Sequence, residues 1–281
     1  MDRATLIGLF LGFGALIVGF LMEGGSAAGL LNASAAVIVL GGTLGATAVS
    51  FPASVLAGVP RVTLTAFKKK KEASASVVES CVLFAEKARR DGLLALEQPV
   101  EELEDAFLKK GLLLVVDGSD PEMIQSIMDI ELKSIKRRHE AYHRVYETLG
   151  GFAPTMGIIG TVMGLINVMA NLSEPGELGH AIAVAFVATL YGVGTCNLLY
   201  LPLGNKLKAN TREELYLREI MLAGILGIQA GQSPRVIREK LESYLPVAAR
   251  TGQDAPLPSA LFNEPLDEPV GQPANETSPA A

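Results

Sequence analysis

The sequence predicts an all-α, polytopic membrane protein with four transmembrane helices and a helical cytoplasmic domain. The first observation behind this fold class is that 49% of the residues are hydrophobic and only 19% are charged. The second is that four long stretches of the sequence contain no charged residue. A helix of about 20 apolar residues can cross a bilayer, because inside hydrocarbon the backbone must bond itself. Four stretches without Asp, Glu, Lys or Arg have about this length: 4–22, 30–51, 150–171 and 181–203.

The distribution of basic residues predicts the topology. Loops 23–29 and 172–180 contain no Lys or Arg, whereas 52–149 contains fifteen and 204–281 contains eight. Because cytoplasmic segments beside membrane spans carry an excess of Lys and Arg, both termini and the central segment are expected in the cytoplasm. The run Lys68–Lys71 fits an anchor on anionic membrane lipid. The net charge of −6 argues against nucleic acid as a partner, since phosphate binding requires a basic surface.

This topology divides the chain into five segments. Apolar residues recur at helical spacing in 75–98 and in 120–149, and Asp120 before Pro121 is typical of a helix start. The C-terminal tail holds seven of the fifteen prolines, so we expect it to be disordered. The predicted segments are 1–51 for the first two spans, 52–149 for a cytoplasmic helical region, 150–203 for spans three and four, 204–245 for a second cytoplasmic helical region, and 246–281 for the tail.

Residues 139–143 read HEAYH, the spacing with which two histidines of one helix bind zinc while the Glu between them acts as a base. A catalytic zinc needs a third protein ligand besides His139 and His143. Glu147 lies about 12 Å along a straight helix from His139, too far for both to hold one ion. The carboxylates after span three are predicted on the opposite side of the membrane, and Asp117 would need an unproven tertiary contact. We therefore interpret HEAYH as a chance match on a solvated helix, and we predict no metal site.

Polar side chains are sparse in the four spans, and no carboxylate occurs there. Thr161 lies near the middle of span three and Thr189 near the middle of span four. Such a hydroxyl can offer an oxygen to a passing ion, or it can bond its own helix backbone one turn back. Ion pathways normally need an ionisable group at membrane depth. Either this chain moves no ion, or a partner supplies the acid.

Two prolines mark the cytoplasmic ends of the last two spans. Pro154 opens span three and Pro202 closes span four, so both are predicted near the cytoplasmic face. A proline inside a helix removes a backbone hydrogen bond and introduces a kink. Two kinks at one depth would form a hinge, whereas two helix-end prolines would have no such role.

Glycine pairs four residues apart recur in the spans. Such pairs let helices approach closely where hydrophobicity cannot drive their association, so they predict a helix bundle and an oligomer. The pairs are Gly8/Gly12, Gly41/Gly45 and Gly160/Gly164.

Two stretches resemble the flagellar motor stator A-subunit family, MotA and PomA, within the wider MotA/TolQ/ExbB ion-channel group. The first is GGFAPTMGIIGTVMGLINVMANLSEPGELGHAIAVAFVATLYGVGTCNLLYLPLGNKLK (150–208), which is similar to the last two membrane helices of that family. The second is ARRDGLLALE (88–97), which is similar to its cytoplasmic signature. The resemblance covers roughly residues 1–245, and the order of four spans with a large loop after the second also agrees.

The resemblance implies an A-type stator subunit in the bacterial inner (plasma) membrane. Such chains form a homo-oligomeric ring, expected here to be a pentamer, around B-type subunits of the MotB/PomB kind. The B-type subunit would carry the membrane aspartate that these spans lack. Ion passage would turn the ring against a rotor switch protein of the FliG kind.

The resemblance also implies roles for individual residues. Matched by position, they are Arg89, Arg90 and Glu97 for contact with the rotor, Pro154 and Pro202 for conformational coupling, and Thr161 and Thr189 for the ion pathway. Exposed opposite charges are screened and individually weak, which suits a surface that must engage and release a rotor many times.

The resemblance leaves the coupling ion open. Position 188 is Ala, where sodium-type members often have a second Thr, and one hydroxyl fewer offers fewer oxygens to sodium. A proton is therefore favoured over sodium. No cofactor is expected beyond the transported H+ or Na+, and no enzymatic activity. Two alternatives stay open: a TolQ/ExbB-type proton-channel subunit that energises outer-membrane processes, which would have three spans, and a membrane zinc metalloprotease.

Overall fold

The computed structural model describes residues 3–67, 74–170 and 175–245, and no strand occurs within these ranges. The predicted all-α fold class is confirmed, whereas the predicted disordered tail lies outside the described residues. The α-helices are α1 (Arg3–Met22), α2 (Ala33–Ala36), α3 (Gly42–Ser50), α4 (Ala53–Ala66), α5 (Ser74–Asp91), α6 (Glu97–Glu101), α7 (Ala106–Val116), α8 (Pro121–Ala170), α9 (Pro175–Thr195), α10 (Leu201–Gln229) and α11 (Pro234–Glu242).

Four helical segments of the described chain are long and apolar enough to cross a membrane. They are Ala4–Met22, Ala27–Ser50 and parts of the long segments Pro121–Ala170 and Ala181–Gln229. Many of their large apolar side chains are exposed, as expected for surfaces that face lipid or partner helices. These segments agree with the four spans that the sequence predicts.

Two of the membrane segments contain a π-helical turn. Val37–Gly41 joins α2 to α3, and Cys196–Tyr200 joins α9 to α10. Turns of this kind are rare and occur frequently at functional sites. The second one directly precedes Pro202, whose nitrogen cannot donate to the carbonyl one turn back. The wider turn accommodates this proline while the chain stays helical on both sides.

Helix α8 has 50 residues and runs without interruption from the predicted cytoplasmic region through span three. At 1.5 Å per residue it is about 75 Å long. It begins at Pro121, as the Asp120–Pro121 pair predicts. The predicted boundary between residues 149 and 150 therefore lies within one continuous helix. Helix α10 likewise continues from the end of span four into the second predicted cytoplasmic region.

The helices of the predicted cytoplasmic regions form an apolar core of their own. Helices α5, α7 and α11 and the first third of α8 pack around the second half of α10. The fully buried side chains of this core include Leu112, Ile124, Met128, Ile225 and Ile237. A packed domain therefore lies at the ends of α8 and α10 outside the predicted spans.

A second apolar cluster joins α4 to the long helices at the base of the membrane spans. Ala66 of α4 is fully buried there, against Val145 and Tyr146 of α8 and Leu203 and Leu207 of α10. This cluster fixes α4, which follows span two, against the two helices that leave the membrane.

The predicted helix over 75–98 is wrong at its C-terminal end. Helix α5 ends at Asp91, and Gly92 adopts φ +88°, a left-handed conformation that glycine accepts because it has no Cβ. A 3-10 turn over Leu93–Leu96 and the short helix α6 follow. Apolar residues keep their helical spacing across Gly92, so the pattern by itself did not reveal the turn.

Helices α8 and α9 approach each other along glycines. A Cβ built on Gly160 would lie 2.7 Å from the Cβ of Ala188, and one on Gly164 would lie equally close to a Cβ of α9. A Cβ on Gly192 would lie 2.4 Å from the carbonyl oxygen of Ala153. The predicted packing role of the Gly160/Gly164 pair is therefore confirmed.

The other two predicted glycine pairs lie in more open surroundings. A Cβ on Gly12 would lie 3.0 Å from Cδ2 of Leu198, whereas Cβ atoms on Gly8, Gly41 and Gly45 would meet no described atom within 4 Å. These three glycines are accessible to lipid or to a helix of another chain.

Replacing Gly192 with Ala should destabilise the membrane bundle. The added Cβ would overlap a backbone carbonyl, which cannot move aside as a flexible side chain can, so α8 and α9 must separate. Overpacking of this kind costs about 1–3 kcal/mol. The corresponding fall in Tm is roughly 2–12 °C for a chain of this size, and thermal unfolding of the full-length chain in detergent measures it.

Gly194→Ala is the matched control on the same helix, because a Cβ at Gly194 meets no described atom within 4 Å. Equal Tm values for the two variants would contradict the close contact at Gly192.

Candidate functional site

The two threonines predicted at the centres of spans three and four are in direct contact. The Oγ1 atoms of Thr161 and Thr189 form a hydrogen bond. Thr161 Oγ1 also lies 3.0 Å from the carbonyl oxygen of Gly157, one turn back in α8, and 3.0 Å from that of Ala185 in α9. Thr161 therefore bonds its own helix backbone one turn back, which was one of the two predicted alternatives. It also forms a hydrogen bond with Thr189 of the neighbouring span.

The number of hydroxyl protons shows which of the two threonine Oγ1 atoms can accept a further hydrogen bond or contact an ion. Each hydroxyl has one proton and two lone pairs. If Thr161 donates to a backbone carbonyl, Thr189 donates to Thr161, and no described residue donates to Thr189 Oγ1. The side chain of Thr189 is partly exposed. Thr189 therefore presents the hydroxyl of this pair that is better placed to meet an ion.

Ala188 lies on a different side of α9. It is 1% exposed and belongs to a buried cluster with Ala35, Val39 and Val187. It also lies against Gly160 of α8. The side chain at position 188 is thus part of the packing between spans two, three and four, and it adds no oxygen to the threonine pair.

A further hydroxyl in span two was not identified from the sequence. Thr43 of α3 is fully buried, and its Oγ1 has no hydrogen-bond partner among the described residues. A buried threonine in a helix usually bonds the carbonyl four residues back, as Thr47 does with the carbonyl of Thr43 at 2.8 Å. The π turn Val37–Gly41 changes the helix geometry four residues before Thr43. No residue pattern indicated that turn, so the unbonded hydroxyl could not be predicted.

The prolines predicted to couple the spans lie at similar depth. Pro154 is inside α8, so the alternative of a helix-end proline is wrong for this residue. Pro202 is the second residue of α10, directly after the π turn. A Cβ on Gly150 would lie 2.6 Å from Cδ2 of Leu201, which places the two prolines within about two helical turns of each other. Their role in conformational coupling stays a prediction.

The charges predicted to face the rotor, Arg89, Arg90 and Glu97, are all exposed and flank the turn at Gly92. Arg90 donates to Asp91 from Nε at 2.9 Å and from Nη2 at 3.0 Å. This hydrogen bond raises the pKa of Arg90 and lowers the pKa of Asp91. No described carboxylate lies within 4 Å of Arg89. The charge of Arg89 is therefore more available to a partner than that of Arg90.

The two histidines of HEAYH converge on a threonine of a neighbouring helix. His143 Nε2 lies 3.0 Å from Oγ1 of Thr211 in α10, and His139 Nδ1 lies 3.4 Å from the same oxygen. A carboxylate of the same helix, Glu214, lies 4.0 Å from His139 Nδ1 and 2.7 Å from Arg218. Within the described residues, no three His, Cys, Asp or Glu side chains are arranged to hold a metal ion.

The sequence-based account of this motif was wrong in two respects. It overlooked Glu214, a carboxylate of α10 that only the packing of α10 on α8 brings close to His139. It also placed His143 on a solvated face, whereas His143 is 6% exposed. Burial lowers the pKa of His143, and the neighbouring His139 lowers it further. The motif therefore belongs to the contact between two long helices.

Comparison with known proteins identifies the family. The MotA/TolQ/ExbB proton channel family matches residues 99–220, and the Motility protein A N-terminal family matches residues 6–92. The chain is 42% identical over 253 residues to Motility protein A of Bacillus subtilis, covering 89% of this chain and 93% of that relative. The chain belongs to the MotA/TolQ/ExbB proton channel family.

Other MotA-type proteins agree over nearly their whole length. Chemotaxis protein PomA of Vibrio alginolyticus is 34% identical over 245 residues, covering 87% of this chain and 96% of that relative. The flagellar MotAB stator complex of Bacillus subtilis matches with a TM-score of 0.84 at 41% identity, covering 89% of this chain and 98% of the matched chain. C. jejuni MotAB matches with a TM-score of 0.84 at 30% identity, covering 88% and 97%. The resemblance to the stator A-subunit family is confirmed.

Membership in this family also bears on the two alternatives. The MotA-type N-terminal match spans the first two membrane segments, which favours a four-span stator subunit over a three-span TolQ/ExbB-type protein. The MotA/TolQ/ExbB family is a family of ion channels and not of enzymes. The metalloprotease interpretation of HEAYH therefore gains no support from either the geometry or the relatives.

Acidification should destabilise the protein through His143. Because its pKa in the folded state lies below the ordinary value of 6.5, the unfolded state binds more protons between those two values. The stabilisation from neutral His143 is complete above about pH 6.5 and decreases as the pH falls toward the folded pKa. Replacing His143 with Gln, which still offers a hydrogen-bonding group to Thr211, should remove this part of the pH dependence.

The measurement is Tm in detergent between about pH 7.5 and 5.5, where the unmodified chain should lose more Tm than the variant. Thr211→Val keeps the titrating ring in place, so this control should retain the pH dependence. The same loss of Tm in the His143→Gln variant as in the unmodified chain would contradict the assignment.

Proposed function

We propose that this chain is the A-type subunit of a bacterial flagellar stator, which with a B-type subunit forms an ion channel and converts ion-motive force into torque on the rotor. The observation that carries this proposal is the match over 89% of the chain, at 41% identity, to the flagellar MotAB stator complex of Bacillus subtilis. The contact between Thr161 and Thr189 would border the ion path, and the exposed region around Arg89 would face the rotor.

A B-type partner accounts for the composition of the spans. The four predicted spans contain no carboxylate, and a proton pathway normally needs one at membrane depth. Two solved relatives are described as MotAB, so we infer that a MotB-type chain brings its acid close to Thr189. The exposed apolar side chains of the spans and the open glycines of α1 and α3 would contact this partner and further copies in a ring, expected to be a pentamer.

We infer that the coupling ion is H+ and not Na+. A hard cation that gives up its water needs several oxygen ligands in place of it. Thr161 already bonds a backbone carbonyl and Thr189, and position 188 is a buried alanine. Of the threonine pair, only Thr189 thus offers an accessible hydroxyl oxygen, which suits proton transfer through a partner carboxylate better than sodium coordination.

The long helices supply the mechanical connection. Helix α8 passes from the threonine pair through Pro154 into the cytoplasmic core, and α10 runs beside it. Movement of the membrane half would therefore displace the cytoplasmic domain as one body, together with the turn that carries Arg89 and Glu97. We propose that both termini lie in the cytoplasm, as the basic residues predict, and that the chain lies in the inner membrane, as the stator function requires.

Deleting the gene tests the function. The deletion strain should assemble flagella that do not rotate, and the unmodified gene should restore swimming. Normal swimming of the deletion strain, with a defect confined to outer-membrane processes, would favour the TolQ/ExbB-type alternative and overturn the proposal.

The complemented strain tests the ion. At fixed pH, its swimming speed should be independent of external sodium and should fall to zero after addition of a protonophore. A speed that rises with external sodium and persists with the protonophore would overturn the assignment of H+ while leaving the stator function intact.

Two neighbouring arginines test the rotor-facing surface. Arg89→Ala should lower swimming speed more than Arg90→Ala, because the charge of Arg90 is already compensated by Asp91. Torque should fall while the amount of protein in the membrane, measured by immunoblot, stays unchanged for both exposed positions. An equal effect of the two substitutions would contradict the difference that the ion pair predicts.

A further inference from the structure

A cavity of about 720 Å³ lies where α4, α8 and α10 meet below the membrane spans. This volume is within the range of small-molecule binding sites. Arg61 of α4 and Arg138 of α8 line it with exposed side chains, while the buried His143 and Thr211 form its inner wall. None of the residues assigned above to the ion path or to the rotor lines this cavity.

The walls of the cavity are firmly packed. Tyr142 of α8 lies against α4 at Gly58, where a Cβ would come within 2.5 Å of the tyrosine Oη. One helical turn farther along α8, Tyr146 forms a side-chain hydrogen bond with Thr63 of α4. Ala66 is fully buried between the same helices. The cavity is therefore a fixed recess between three anchored helices.

The charges of the cavity favour an anion. Within the described residues, neither Arg61 nor Arg138 lies within 4 Å of a carboxylate. The carboxylate of Glu214 also lines the cavity, but it is 2.7 Å from Arg218, which compensates its charge. A guanidinium group matches the geometry of phosphate oxygens and can bind two of them at once. Two such groups at one opening indicate a phosphate-type ligand.

The cavity extends away from the level of the lipid headgroups. Span four is predicted to end at residue 203, and Leu207, which lines the cavity, is about 6 Å farther along α10. Headgroups occupy roughly the first 5–8 Å outside the hydrocarbon. Arg138 lies about 18 Å along α8 before the predicted start of span three at residue 150. The arginines are therefore open to a free phosphate anion, and a lipid headgroup would reach them through the end of the cavity beside Leu207.

We propose that this cavity binds a phosphate group through Arg61 and Arg138. The phosphate is either a free anion or the headgroup of an anionic lipid, because both present the same oxygens to the two guanidinium groups. The bound group joins α4, which follows span two, to the part of α8 that precedes span three. It holds these two helices together outside the membrane spans.

Native mass spectrometry of the full-length chain, extracted from membranes and titrated with phosphatidylglycerol, tests the proposal. The cavity variant is Arg61→Gln with Arg138→Gln, and the matched control is Arg137→Gln with Arg144→Gln. The control removes the same charge from exposed arginines of α8 that do not line the cavity. The cavity variant should bind the lipid about tenfold or more weakly, since it loses the charge-assisted hydrogen bonds of both guanidinium groups, each worth roughly tenfold or more, and the control, which loses the same charge outside the cavity, should change little.

Competition with inorganic phosphate distinguishes the two sources. Retention of phosphatidylglycerol at millimolar phosphate supports the lipid headgroup, whereas displacement that depends on the two arginines supports a free anion in the same site. A variant with Arg61→Lys and Arg138→Lys keeps the charge without the planar fork and should bind with intermediate affinity. Equal binding by the cavity variant and the control, or no saturable binding by the unmodified chain, would overturn the proposal.

Discussion

The close contact between α8 and α9 is the interaction on which the membrane part of the fold depends. Within lipid, apolar side chains gain little by exchanging lipid neighbours for helix neighbours, so association relies on close packing and on bonds between helices. Gly160 and Gly192 bring the two backbones together because they carry no side chain at the contact. The same approach allows Thr161 to reach both Thr189 and a carbonyl of α9. The candidate ion path is thus a consequence of how the glycines pack.

The second constraint is the continuity of the long helices. A helix of 50 residues transmits displacement over its whole length, provided that its neighbours hold it at both ends. The apolar core holds α8 against α10 outside the predicted spans, and the cluster around Tyr146 holds them at the base of the spans. Between these clusters, His143 bonds Thr211 across the two helices. Arg218 extends the polar contacts toward α7, where its guanidinium lies 5.4 Å from the ring centre of Phe107. The spans and the apolar core are therefore connected by two long helices that contact each other at both levels.

Particular residues show how far prediction from the sequence could go. The start of α8 at Pro121 was predicted because its signal is local. Thr161 and Thr189 were each placed at mid-span, but their mutual hydrogen bond was not predicted. The end of α5 was missed, since the apolar spacing continues across Gly92 although its backbone turns. The unbonded hydroxyl of Thr43 was also missed, because a π turn leaves no residue pattern. Features with a local residue signal could be predicted from the sequence, whereas the backbone geometry of turns between helices could not.

The sequence by itself determined the fold class and the order of the spans. Hydropathy and charge act along the chain, and an uncharged run of this length has no stable alternative to a helix inside a bilayer. Only the tertiary structure decided which side chains meet, because the rotation and relative position of packed helices are set by many contacts at once. His143 and Thr211 are 68 residues apart in the chain, and the two cavity arginines, Arg61 and Arg138, lie on different helices, α4 and α8. Neither the His143–Thr211 hydrogen bond nor the shared cavity of the two arginines could be predicted from a pattern confined to one helix.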